Sequence, residues 1–431
     1  MKVITIFILS FLARLIAVFT LRSALSGDAQ VYNSLGRSIA DWGVFSIAML
    51  SKFPLKDHPL YPLFIGINYT LFGENPFFIC LLQSLIGAVF CILIYYIAKE
   101  YFDEKTALCS GIIAAFYPLF IKLNTMLLSE NLFIFIFTFS LWLVIKFVKS
   151  SRFSFLALCG FALGLATLTR SVTILFIFLL SSYLFYHNKS YMGLKKNITY
   201  QLLFVLIFIF TILPWTIRNY YVSGGSIIPV TEAADRGLYN SFCPYKGKIF
   251  GIRPDDDPVM QEARKISSFK ERRAFFFAKT LDFVKNNPGK VAKLEVLKLL
   301  YLWSPLDWEI LGDGKATYNS GYVFILPFFL YGTFRLIATR KENYVLFFLP
   351  IFYFQIIHLV FFALPRFRLS FEPLLIIIGA SGITYLYERS RQKKIFMAVT
   401  LIYLVFNLVL FMNSQQIKFF LRGACEKIGL W

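Results

Sequence analysis

The sequence predicts an all-α polytopic membrane protein, and three observations carry that prediction. The chain is 58% hydrophobic and 19% aromatic, with 51 phenylalanines, and only 16% of its residues are charged. A soluble domain carries roughly 25% charged residues. The apolar residues fall in runs long enough to cross a bilayer, which takes about 20 residues of helix. Those runs are continuous and lack the alternation of period two that a membrane β-barrel needs.

Apolar runs at 3–21, 76–98, 107–121, 131–148, 153–168, 172–187, 198–217, 321–338, 344–364, 370–387 and 395–412 predict about eleven transmembrane helices, within a range of roughly 10–13. Residues 1–21 have the outline of a secretory signal, but the run is long and Arg14 interrupts it, so a retained first span is expected. One set of loops holds Lys2, Lys99 and Lys105, Lys149 and Arg152, Lys189, Lys195 and Lys196, Arg340 and Lys341, and Arg389 to Lys394. Alternate short loops are poorer in Lys and Arg, which places the N-terminus in the cytoplasm and the chain in the cytoplasmic (inner) membrane.

Three outer regions follow from that orientation. The first, 22–75, is expected to carry two surface helices. Ala29–Trp42 has helical spacing of Val31, Leu35, Ile39 and Trp42, and Pro59–Phe72 forms the second. The second region, 218–320, opens polar and ends in Pro288–Trp308, where Lys290, Lys293 and Lys298 punctuate an apolar pattern as in an interfacial helix. The third is the Pro365–Phe371 turn. The chain thus divides into an N-terminal membrane module (1–217), an extracytoplasmic region (218–320) and a C-terminal membrane module (321–431).

The formal net charge is +20, from 44 Lys and Arg against 24 Asp and Glu. Inward-facing loops and an anionic phosphate-bearing substrate account for it. Nucleic acid does not, because no basic domain stands apart from the spans. Cys80, Cys91, Cys109 and Cys159 fall inside apolar runs and read as small hydrophobes. Cys243 and Cys425 are expected on the outer side, where a disulfide between them is chemically allowed.

The charged residues that need explaining cluster at outer ends of spans. Asp28 follows the first span; it reads as a helix N-cap, as a general base, or as both. Lys56-Asp57-His58-Pro59 sets a cation, an anion and an imidazole before the second surface helix. His58 and Lys56 are candidates for phosphate binding. Asp57 with His58 would be an incomplete metal site, so no metal is expected and no cofactor is required. Glu130, opening the fourth span, is either a helix-start acid or a second catalytic acid. Arg170, Arg218, Arg366 and Arg368 all sit at predicted outer ends. Interfacial snorkelling explains any one of them, but four on that side run against the inward bias, and a bound polyprenyl phosphate would supply the reason. Arg14 is expected to pair with an acid inside the first span.

GDAQVY, KDHPLYPLF, the FYPLF…LLSENLF pair, GLATLTR, PWTIRN and RFRLSFEPLL occur in an order that resembles glycosyltransferases of the C superfamily (GT-C). The protein O-mannosyltransferase and aminoarabinose-transferase-like family is the nearest likeness, over most of residues 1–387. The resemblance implies an inverting transferase that takes a sugar from a polyprenyl-phosphate carrier, with Asp28 in the first outer loop as its working carboxylate and Glu130 as the second acid. The acceptor would be lipid A, a glycan, a glycolipid or a protein. The family's acid-Lys-Pro motif appears here as Asp57-His58-Pro59, with His for Lys. The Asp-Glu pair of protein mannosyltransferases is missing, since Ala29 follows Asp28. No Gly-rich phosphate loop is present, as a lipid-linked donor would predict. Two rival classes are a lipid-linked glycan flippase or transporter and a surface-polysaccharide ligase or polymerase. Transporters show repeated halves and midplane charges, which this sequence lacks.

Overall fold

A computed structural model describes residues 1–21, 25, 27–45, 57–243, 257–266, 268–307, 317–339 and 344–413. Among them the regular structure is helical apart from one two-residue antiparallel ladder, in which β1 (Leu306–Asp307) pairs with β2 (Thr317–Tyr318). Lys56, with the phosphate contact expected there, and Cys425, with the disulfide expected there, lie outside the described residues.

The first half of the chain holds α1 (Lys2–Thr20), α2 (Asp28–Trp42), α3 (Leu60–Phe72), α4 (Pro76–Tyr101), α5 (Glu104–Ala115), α6 (Pro118–Leu123), α7 (Ser129–Ser150), α8 (Phe153–Thr169), α9 (Phe176–Asn188) and α10 (Leu194–Val222). Next come α11 (Ala233–Phe242), α12 (Pro258–Lys265), α13 (Phe269–Asn286) and α14 (Pro288–Leu302). The chain then returns through α15 (Ser320–Ala338), α16 (Val345–Val360), α17 (Glu372–Arg389) and α18 (Lys393–Met412).

Local chemistry sets these boundaries. Asn75 accepts from the Phe77 N–H with Pro76 at the first helical position, which starts α4. Asp103 caps α5, and Ser268 with Glu271 three residues on starts α13. Pro118 ends the helical run because the residue before a proline is pushed out of the α region. The expected span 107–121 is therefore divided into α5 and α6.

That break explains Arg14. Among the described residues no carboxylate meets it; its guanidinium donates instead to the carbonyls of Ala115 (3.1 Å), Ala114 (3.5 Å) and Ser10 (3.1 Å). The Ala115 carbonyl is one that the end of α5 leaves without a helical partner, and that of Ala114 also accepts from the Tyr117 N–H at 3.4 Å. The acid expected beside Arg14 is replaced by a helix terminus, whose partial negative charge serves the same purpose.

Among the described residues, six helical segments are long and apolar enough to cross a membrane: Lys2–Thr20, Pro76–Tyr101, Ser129–Ser150, Ser171–Asn188, Leu194–Val222 and Ser320–Ala338. Leu60–Phe72, Phe153–Thr169 and Val345–Val360 are apolar but shorter. The expected count of eleven is thus met by six on length and composition. In α17 every residue from Glu372 to Gly382 is buried, so that apolar run packs inside the protein and little of it faces lipid.

The two helices expected in the first loop are present as α2 and α3. They cross closely because both contribute glycine at the crossing. A Cβ on Gly66 would meet Ile39 at 2.6 Å, and one on Gly36 would overlap Ile65. The interfacial helix expected at 288–308 is α14, but Lys298 does not punctuate a solvated face. It is buried, with Nζ 2.7 Å from Glu295 Oε1, 2.7 Å from the Leu359 carbonyl and 4.1 Å above the Phe242 ring. Lys298 thus ties α11, α14 and the end of α16 together.

Candidate active site

A cavity of about 250 Å³ lies between the ends of the membrane helices and the α11–α13 segment. The membrane-helix wall is formed by Asp28 and Tyr32 of α2, Asp57 and His58 before α3, Ser129 of α7, Arg170 at the end of α8, and Arg366 with Phe367 in a 3-10 turn (Pro365–Ser370). The facing wall comes from Glu232, Arg236 and Asn240 around α11 and from Phe269, Arg272, Arg273 and Phe276 of α13.

Four charges seen as candidates in the sequence meet here. Arg170 Nη1 lies 2.7 Å from Glu130 Oε1, and Arg366 Nη1 lies 4.0 Å from the same oxygen. Arg366 Nη2 is 3.5 Å from Asp28 Oδ2. Arg366 therefore bridges two acids 102 positions apart in sequence order, one deep and one open: the Glu130 side chain is 6% exposed and that of Asp28 51%. Neither acid caps its helix. Gly27 (φ 55°) precedes α2 and Leu128 precedes α7, with no side-chain cap bond at either. Both carboxylates sit in the first turn, where the helix dipole favours negative charge. Lost as caps, they are available to the arginines.

A buried network holds the turn that presents Glu130. Gln83 Nε2 donates to the carbonyls of Asn124 (3.2 Å) and Met126 (3.0 Å), and Gln83 Oε1 accepts from the Tyr61 hydroxyl at 2.7 Å. Asn131 Nδ2 donates to Asn124 Oδ1 at 2.8 Å. Replacing Gln83 with leucine strands the buried Asn124 carbonyl and the Tyr61 hydroxyl, while the Met126 carbonyl keeps the Leu128 N–H. We expect a loss of about 1–3 kcal/mol of stability, read as a lowered Tm in detergent.

His58 Nε2 lies 3.1 Å from Ser171 Oγ. Burial first, and then the Arg170 charge, push its pKa down to about 3. The imidazole is therefore neutral at physiological pH, and a phosphate contact at His58 would be a neutral hydrogen bond. The unfolded chain binds this proton below about 6.5, whereas the folded one resists until about 3. Stability is thus expected to fall as pH drops from 6.5 toward 3, and His58→Gln should flatten that slope in a melting series across pH. Among the described residues no three His, Cys, Asp or Glu side chains group as a metal site would require.

Two arginines of the expected phosphate set lie elsewhere. Arg368 is buried, with Nε 2.8 Å from Glu372 Oε1, Nη1 2.8 Å from the Leu302 carbonyl and 2.9 Å from the Ser304 carbonyl, and its guanidinium 3.5 Å over Tyr322. It serves the junction of α14, α15 and α17. The sequence could not show this, because Arg366 and Arg368 differ only by which side of one tight turn they occupy. Arg218 stacks on Trp215 at 4.6 Å and does not line the cavity.

The facing wall comes from the 218–320 segment, though none of the wall's residues stands out in the sequence as a candidate. Arg272 Nη2 pairs with Glu232 Oε2 at 3.0 Å and its guanidinium packs 4.7 Å over Phe269. Phe269 and Phe276, seven apart, mark one helical face of α13, and Arg272-Arg273 fall between them. That spacing was the available signal.

Residues 56–215 match the profile of a family described as dolichyl-phosphate-mannose-protein mannosyltransferase. The match covers well under half of the chain and is a likeness to that family over this stretch. It carries Asp57, His58, Glu130 and Arg170 and begins after Asp28. No curated protein matches the chain by sequence. Among solved structures, the chain is similar to the archaeal oligosaccharyltransferase AglB from Archaeoglobus fulgidus, in complex with an inhibitory peptide and a dolichol-phosphate. The TM-score is 0.58 at 11% identity over 96% of this chain and 55% of that one. It is also similar to ArnT from Cupriavidus metallidurans bound to undecaprenyl phosphate, with a TM-score of 0.56 at 15% identity over 92% of this chain and 62% of that one. These likenesses show that the chain shares the fold of those two membrane enzymes. The chain spans less than two thirds of either protein's length, and the fold is what it shares with them.

Proposed function

We propose that this protein is an inverting glycosyltransferase that moves a sugar from a polyprenyl-phosphate carrier to an acceptor at the outer face of the cytoplasmic membrane. The observation that carries the reading is a charge cluster at the cavity wall, in which Arg366 joins a half-exposed Asp28 to a buried Glu130–Arg170 pair. Reaction at an anomeric carbon with inversion needs a proton acceptor on one side and a place for the departing phosphate's charge on the other. Asp28, open to the cavity, takes the proton from the acceptor hydroxyl as its oxygen bonds to the sugar carbon. The carbon–oxygen bond to the lipid phosphate breaks, and its electron pair leaves with the phosphate. Arg170 and Arg366 meet that charge; guanidinium matches phosphate oxygens in pairs. Glu130 fixes the two arginines before the lipid arrives, so little reorganisation remains for the transition state.

The α11–α13 wall covers the cavity and selects the acceptor. The charges gather at one end of the helix bundle, which favours an enzyme over a transporter with a midplane site. Mass spectrometry of lipid-linked sugars that accumulate in a deletion strain tests the reading and names the donor. No accumulation, together with lipid flipping by the purified protein, would replace it with transport. Topology is tested separately. Single cysteines at positions 28 and 366 should both label with a membrane-impermeant reagent applied from outside, and labelling only from the cytosolic side would reverse the proposed orientation.

A further inference from the structure

Below the main cavity, and sharing Arg170, Arg366 and Phe367 with it as walls, lies a second one of about 10 Å³. Glu130, Ser370 and His358 complete its polar lining. His358 has no part in the chemistry above. It is 3% exposed; the Phe362 backbone approaches one of its ring nitrogens, and among the described residues the other has no hydrogen-bond partner. A buried polar group left in that state costs roughly 1–3 kcal/mol, so its retention needs a reason.

The ring is held rigidly. It stacks on Phe367 with centroids 4.8 Å apart and planes 15° from parallel, and Phe354 lies 6.3 Å away at 17°. The backbone beside it is pinned as well, because Lys298 grips the Leu359 carbonyl at 2.7 Å. A rigid imidazole of this kind is placed to meet something of defined position. The space available is about that of one water-sized sphere. Its walls bring a carboxylate that accepts, guanidinium groups that donate, and an imidazole with one of each.

We infer that this small cavity is a subsite for a single hydroxyl-sized group, hydrogen-bonded to His358 and to the Glu130–Arg170–Arg366 cluster. Two sources share that chemistry: a bound water, or a hydroxyl of the transferred sugar entering past Arg170 and Arg366. The second source rests on the glycosyltransferase reading; the first does not.

The test uses the full chain in lipid nanodiscs, as wild type and as His358→Phe, which keeps the stack and removes the nitrogens. Matching melting temperatures establish that the variant folds, and His358→Gln serves as the conservative control. A structure at a resolution that shows ordered water is expected to place an oxygen within hydrogen-bond reach of both His358 and one of the three charged groups. Binding is measured with polyprenyl phosphate alone and with polyprenyl-phosphate mannose. A loss of about tenfold in affinity for the sugar-bearing lipid only, restored in part by glutamine, identifies a sugar hydroxyl. Equal affinities, with the oxygen present in the lipid-free protein, identify a water. Absence of any oxygen there with or without lipid, and unchanged binding of both lipids by His358→Phe, overturns the inference and leaves His358 as packing. Should the wild type bind neither lipid, the functional reading falls, while the lipid-free structure still decides the subsite.

Discussion

Asp28→Asn is expected to lower sugar transfer by about 10²–10⁴-fold in reconstituted membranes, the range a general base contributes, with membrane insertion and Tm preserved. The direction follows from exposure. Asp28 is half-open, makes no cap bond, and touches the rest of the site through one 3.5 Å contact with Arg366, so the amide costs the fold little. What it removes is proton affinity on the acceptor side of the cavity. Transfer rates should fall with little change in affinity for the lipid donor, whose phosphate is held by arginines. Full activity in this variant would take Asp28 out of the chemistry and leave it as an ion-pair partner of Arg366.

The second large effect is expected at Arg170. Its partner Glu130 is 6% exposed and Arg170 itself 18%, and Arg366 stands 4.0 Å from the same carboxylate oxygen. Removing one member of a buried pair strands the other, at a cost of about 3–5 kcal/mol. Arg170→Ala should therefore lower the Tm and weaken polyprenyl-phosphate binding together. The double variant Arg170→Ala with Glu130→Gln separates the two effects. Neutralising both partners should recover most of the stability, because no unpaired charge remains buried. Lipid binding should stay weak, because the phosphate has still lost a guanidinium. Recovery of binding along with stability would assign Arg170 to structure alone.

Particular elements show how far the sequence could be read. The first-loop helices were legible because α2 carries its apolar residues at helical spacing and α3 is framed by Pro59 and Gly73. The candidates Asp28, Glu130, Arg170 and Arg366 stood out because charge beside long apolar runs is costly and must be met by something. Arg368 stood out for the same reason, yet its charge is met internally by Glu372 and two carbonyls. Cost identifies which residues need partners and says nothing of where those partners come from. Arg14 makes the same point. Its partners are the backbone ends of a helix broken by Pro118, and composition carries no trace of them.

What the sequence determined alone was the solvent: continuous apolar runs dictate helices in lipid, since only helices satisfy their own backbone there. It also determined which charges had to be explained. The tertiary structure decided which of those charges meet, that the α11–α13 arginines close the cavity from the other side, and that His58 is neutral and His358 buried beside the acids. Side-chain pairing across a hundred or more residues depends on helix packing angles and on single turns such as Pro365–Ser370. The local preferences that set helices and caps hold no information about those.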